Sequence, residues 1–121
     1  MFKSKNGSTG ISTSFDSLIG EKSIFDGNLT CEGAIRIDGI VKGDIKATED
    51  VVIGEKAEIY GNVTANNVQV SGTVQGNIYA KYTVRLCSSS HLNGDIEAAS
   101  LISAEGAFFT GKCNMIEPSD T

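Results

Sequence analysis

Six times in this 121-residue chain the same short pattern returns: Gly, a small polar or charged residue, an apolar residue, any residue, then Ala, Cys or Met. The copies begin at Gly27, Gly43, Gly61, Gly76, Gly94 and Gly111, so the steps are 16, 18, 15, 18 and 17 residues. Such self-similarity restricts the chain to a stacked, repetitive fold. Two residues before each Gly stands an apolar side chain: Phe25, Val41, Ile59, Val74, Leu92 and Phe109. A second alternating pair precedes it in four units, as Ile35/Ile37, Val51/Ile53, Val68/Val70 and Val84/Leu86.

Alternation with period two marks half-buried strands. Each unit therefore reads as two or three very short strands, with the motif Gly at a bend where φ is positive or the backbone crowded. A unit of about 17 residues at roughly 3.3 Å per residue traces about 55 Å, one coil of a β-solenoid. Stacked coils put Leu29, Ile45, Val63, Ile78, Ile96 and Cys113 in one ladder, and Cys31, Ala47, Ala65, Ala80, Ala98 and Met115 in a second. Six coils at about 4.8 Å make a rod only about 29 Å long, in which every coil depends on its neighbours to bury its apolar face. Proline is excluded from interior strands, and the single one, Pro118, lies just past the last repeat. The expected organisation is all-β: a solenoid of about six coils over residues 16–115, with short disordered tails at 1–15 and 116–121.

Composition narrows the function. The longest apolar runs fall far short of the roughly 20 residues that cross a bilayer, and no signal peptide is visible, so a cytoplasmic location is expected. Cys31, Cys87 and Cys113 are odd in number and lack a CxxC pair, which signals neither a disulfide framework nor a zinc site. A formal charge of −5 argues against nucleic acid as a partner. No cofactor is called for.

A solenoid ends in a coil whose backbone groups face outward along the axis, a template for another chain unless a polar repeat or a helix covers it. Neither signal is present, and bulky apolar residues persist in both terminal coils: Phe25 and Leu29 at one end, Phe109, Cys113 and Met115 at the other. These five are the expected polymer interface, with the chain itself as partner. The competing reading folds the tails over the ends.

Ile35-Arg-Ile-Asp-Gly39, the repeated Gly-Asn/Asp-Ile/Val-x-Ala, the run Val70–Ala80 and the closing Gly111-Lys-Cys-Asn-Met115 together resemble the bactofilin family, from about Leu18 to Met115. The resemblance implies a single-stranded right-handed parallel β-helix. It also implies nucleotide-independent, end-to-end filaments in the bacterial cytoplasm, serving cell shape, wall synthesis or polar and stalk structures, with cell-wall enzymes or other scaffold clients as partners. Many bactofilins begin with a membrane-targeting segment that Met1, Phe2, Lys3 and Lys5 resemble, which implies the inner membrane surface as a further partner. An ordinary tail is the alternative reading of that segment.

The rival enzymatic reading is a small left-handed β-helix acyltransferase, suggested by Val52-Ile-Gly-Glu-Lys-Ala57. A hexapeptide period requires coils of 18, which steps of 15, 16 and 17 break. Such enzymes also usually depend on a histidine base, and the only one, His91, sits among serines without an evident carboxylate partner. Asp26, Asp38, Asp44, Asp95 and Glu97 read as a solvated surface. No Gly-rich loop leads into a helix to cradle a phosphate.

Overall fold

The computed structural model describes residues 15–117, and all of its regular structure there is β. Six coils follow one another, each crossing three walls. The first consists of β1 (Ser17–Ile19), β2 (Ile24–Asp26) and β3 (Leu29–Cys31), and the second of β4 (Ile35–Ile37), β5 (Ile40–Lys42) and β6 (Ile45–Ala47). β7 (Asp50–Ile53) and β8 (Glu58–Tyr60) lead into β9 (Val63–Val70), whose first half closes coil three and whose second half opens coil four. β10 (Thr73–Gln75) then leads to β11 (Ile78–Leu86), which joins coils four and five in the same way. β12 (His91–Asn93) and β13 (Ile96–Ala98) complete coil five, and β14 (Ser100–Ser103), β15 (Phe108–Thr110) and β16 (Cys113–Met115) form coil six.

Pairing is parallel throughout. The second wall is a six-stranded sheet, and the first and third walls are linked through β9 and β11 into a ten-stranded one. Eight- and nine-residue strands differ from the very short strands the repeat suggests. The edge from third wall to first needs only Asn66 in coil three, so extended backbone runs through it. In β11 two residues, Lys81 and Tyr82, occupy that place, and the register shifts between Ala80 and Thr83. The result is a β-bulge.

The expected ladders are observed. Phe25 pairs with Val41, Val41 with Ile59, Ile59 with Val74, Val74 with Leu92 and Leu92 with Phe109. Leu29, Ile45, Val63, Ile78, Ile96 and Cys113 stack likewise. Because period-two alternation sends every second side chain inward, the interior coils exclude solvent from these positions, with Val41, Ile59, Val74, Val63 and Ile78 all at 0 % exposure. Removal of such side chains from water contributes about 1.5–3 kcal/mol each.

The motif glycines turn the corner from second wall to third. Gly61 has φ 156°, and a Cβ there would run into the carbonyl of Gly43 one coil away. Both anticipated reasons for glycine, positive φ and crowding, therefore hold at one position. Gly61→Ala is expected to destabilise the domain by about 2–4 kcal/mol, read as a lowered urea midpoint.

At the corner from first wall to second, tight turns carry Ser23 N–H to the Gly20 carbonyl (3.0 Å), Ala57 to Gly54 (3.0 Å), Ser90 to Cys87 (3.0 Å) and Ala107 to Ala104 (3.1 Å). Neither Gly20 nor Gly54 adopts positive φ, which is why Cys87 and Ala104 are tolerated in the same slot. Cys87 is half-buried. Ser90, wholly buried, satisfies its hydroxyl by donating to the Cys87 carbonyl at 2.7 Å.

Candidate polymerisation interface

Both ends of the rod break the burial pattern that the interior obeys. At the first coil β1, β2 and β3 each pair on one side only, with β4, β5 and β6, and at the last β14, β15 and β16 pair only with β11, β12 and β13. Their free edges present unpaired backbone groups along the axis. Among the described residues nothing covers either end.

The five residues singled out from the sequence all lie on inward rows of the terminal coils. Phe25 is 37 % exposed, although its ladder partner Val41 is at 0 %. Leu29 is half-covered and packs on the core from below. At the opposite end Phe109 and Cys113 pack against the core from above, half-covered, while Met115 is 57 % exposed, its Sδ 3.6 Å from the Cys113 Sγ. Cys31, one row from Leu29, is buried core.

The same cross-sections contain residues that the sequence pattern did not bring out. Ile19 lies inward in the first coil, and Leu101 and Ala107 in the last. Outward positions of the terminal coils are also apolar: Leu18 and Ile24 at one end, Ile102, Phe108 and Ile116 at the other, all exposed. Ile116 is still tied to the sheet, its N–H donating to the Ala98 carbonyl at 2.8 Å. Met1, Phe2, Lys3 and Lys5 lie outside the described residues.

A polar ladder runs along the glycine corner. The backbone N–H of Asp44 donates to Asn28 Oδ1, Asn62 to Asp44 Oδ1, Asn77 to Asn62 Oδ1, Asp95 to Asn77 Oδ1 and Lys112 to Asp95 Oδ1, at 2.9–3.1 Å. Asp44 and Asp95, which read as mere surface in the sequence, thus satisfy backbone donors of the next coil. Lys112 has no acceptor to offer, so the ladder stops at the final coil.

The side walls carry little that resembles a reaction centre. His91 points outward from the second wall and stacks on Phe108, ring centroids 5.5 Å apart, in a shallow depression with Thr73, Gln75 and Asn93. The Arg36 guanidinium holds Asp38 at 2.9 Å, an ion pair that raises the arginine pKa. Tyr60 is likewise pushed up by donating its hydroxyl to Glu58 at 2.6 Å. Among the described residues no group of three or more His, Cys, Asp or Glu is placed to hold a metal ion.

Residues 17–114 match the family model for bactofilin, described as polymer-forming cytoskeletal. This chain belongs to the bactofilin family. Two bactofilins of Myxococcus xanthus are similar to it. BacO is 31 % identical over 100 residues, covering 83 % of this chain and 79 % of BacO. BacP is 30 % identical over 105 residues, covering 85 % of this chain, which spans 44 % of BacP. Among solved structures, Thermus thermophilus bactofilin in double helical filaments superposes with a TM-score of 0.77 at 26 % identity, covering 80 % of this chain and 96 % of that one. A crystal structure of a point mutant of the Thermus protein shares the fold, with a TM-score of 0.69 at 24 % identity over 73 % of this chain and 98 % of that one. Fold and family together favour the bactofilin reading over the acyltransferase alternative.

Proposed function

We propose that this bactofilin is a structural polymer and not an enzyme, assembling without nucleotide by stacking its open ends through Phe25 and Leu29 at one and Phe109, Cys113 and Met115 at the other. The observation that carries this reading is the contrast within single ladders. The second-wall row is sealed at Val41, Ile59, Val74 and Leu92 and open at Phe25 and Phe109. A second copy supplies the missing neighbour, and a contact between ends of this kind propagates into a filament. The Thermus relative, solved as double helical filaments, supports it. Purified protein without nucleotide is expected to pellet and to show filaments by electron microscopy. A dispersed monomer at high concentration overturns the proposal.

The solenoid of residues 16–115 is the polymerising domain in this reading, and the segments 1–15 and 116–121 are tails. Met1, Phe2, Lys3 and Lys5 anchor the filament at the cytoplasmic face of the inner membrane, where it scaffolds cell-wall enzymes or other clients of cell shape. One Phe and two lysines bind weakly, with about 1 kcal/mol per lysine near an anionic surface, but many copies along a filament add their contacts. Full-length filaments are expected to float with anionic liposomes in a density gradient, and filaments lacking the first eight residues to remain in the bottom fraction. Equal binding of both rules out the anchor.

A further inference from the structure

The edge from third wall to first, where each coil hands over to the next, has five steps: Glu32-Gly33, Thr48-Glu49, Asn66, Lys81-Tyr82 and Ala99. Backbone bonds stack them, with Glu49 N–H on the Gly33 carbonyl and Asn66 N–H on the Glu49 carbonyl. Charge is not spread evenly along this edge. Glu32, Glu49 and Asp50, all exposed, lie before Asn66. Lys81 lies after it, its Nζ 5.3 Å from the Tyr82 ring centroid, and among the described residues it forms no ion pair. The β-bulge between Ala80 and Thr83 leaves this Lys-Tyr pair without register partners in β9, and a depression lined by Thr48, Thr64, Asn66 and Tyr79 lies beside it.

We propose that this edge is a lateral interface at which two copies pair antiparallel, about a two-fold axis at Asn66. Lys81 of each copy then faces Glu49 of the other, and Tyr82 faces Asp50. The step after the axis meets the step before it, so one edge supplies both halves of an isologous contact. The opposite-charge pairing of Lys81 with Glu49 and the contact of Tyr82 with Asp50 each form twice. Parallel pairing sets like steps together, Glu32 on Glu32 and Glu49 on Glu49, and like charges across an interface disfavour it. Tyr82 has the flat, amphipathic ring that anchors such interfaces, and Asp50 retains a free carboxylate oxygen because only its Oδ1 accepts from Asn67 Nδ2. Ala99, at the fifth step, offers no bulk to hold the second copy away from Glu32. A lateral contact adds to the end contact proposed above, and rests on that reading only for its repetition along a filament.

The test uses cysteine on the axis. In a full chain with Cys87→Ser, Cys31 being buried and Cys113 kept because it lies in the proposed end contact, Asn66→Cys is expected to give under mild oxidation a dimer whose disulfide maps to position 66. Ala99→Cys, whose copies are about 19 Å apart at four steps of about 4.8 Å, is expected to give none. Charge exchange supplies the second arm. Lys81→Glu and Glu49→Lys are each expected to leave filaments that pellet normally but are single, half the width of the parent, and the double variant to restore pairing. Long filaments in which Asn66→Cys fails to cross-link, or paired filaments unaffected by either single charge change, overturn the lateral proposal and leave end stacking untouched. A chain that cross-links through position 66 yet never elongates supports it and sinks end stacking instead.

Discussion

Phe109→Arg is expected to give a folded, soluble chain that no longer pellets as filaments. Phe109 occupies the inward row of the last coil, over Leu92, with the core on one side and no described neighbour on the other. In an isolated molecule the guanidinium reaches solvent past the open end while its methylenes cover Leu92, so the unfolding midpoint should move little. In a stacked junction the same charge is buried against an apolar coil without a partner, at a cost of several kcal/mol. At 1.4 kcal/mol per tenfold, the elongation constant falls by roughly a hundredfold or more. Sedimentation and light scattering separate two outcomes: monomers if the last coil meets the first coil of another copy, dimers if like ends meet and the first-coil contact survives. Filaments of normal length at parental concentration would falsify the assignment of the last coil as an interface.

The core was legible because two independent signals coincide. Alternation gives the face, and the motif glycine resets the register at every corner, so an error in one coil does not propagate to the next. The ends were only half legible. Phe25 and Phe109 stand two residues before a glycine like every other member of their row, whereas Ile19 and Leu101 lie on the first wall in pairs broken by Ser17 and Ser103. A pattern that requires two apolar residues per strand passes over both. Their partner slots can be polar because a terminal coil has core on one side only.

The Asn/Asp ladder was visible as a sequence regularity but not as an interaction. Its bonds link residues 15–18 apart, and only the stacking of coils shows that Asn62 Oδ1 meets the N–H of Asn77. The bulge was hidden for a related reason. Nothing local distinguishes Lys81-Tyr82 from an ordinary exposed pair until Ala80 and Thr83 are fixed opposite Ala65 and Asn67.

One ladder should yield opposite phenotypes at its middle and at its end. Ile59 is fully buried between Val41 and Val74, and Ile59→Ala leaves a cavity with coils above and below it. Such truncations cost about 2–5 kcal/mol, a large part of the 5–15 kcal/mol that typically holds a domain together. Because each coil is stabilised only by its neighbours, the loss falls on the contact that joins the two halves of the rod. Phe25 occupies the same row but has Val41 on one side and is already 37 % exposed, so Phe25→Ala should cost the isolated domain only about 1 kcal/mol, well below the 3–5 kcal/mol of a buried phenylalanine. Its effect should fall on assembly, raising the critical concentration about tenfold or more. Urea unfolding in the Phe109→Arg background reads stability free of polymerisation, which otherwise stabilises the fold by mass action. Sedimentation of otherwise unaltered chains reads the critical concentration. Should Phe25→Ala destabilise the monomer as much as Ile59→Ala does, the first coil is already covered within its own chain, and the open-end account of assembly fails.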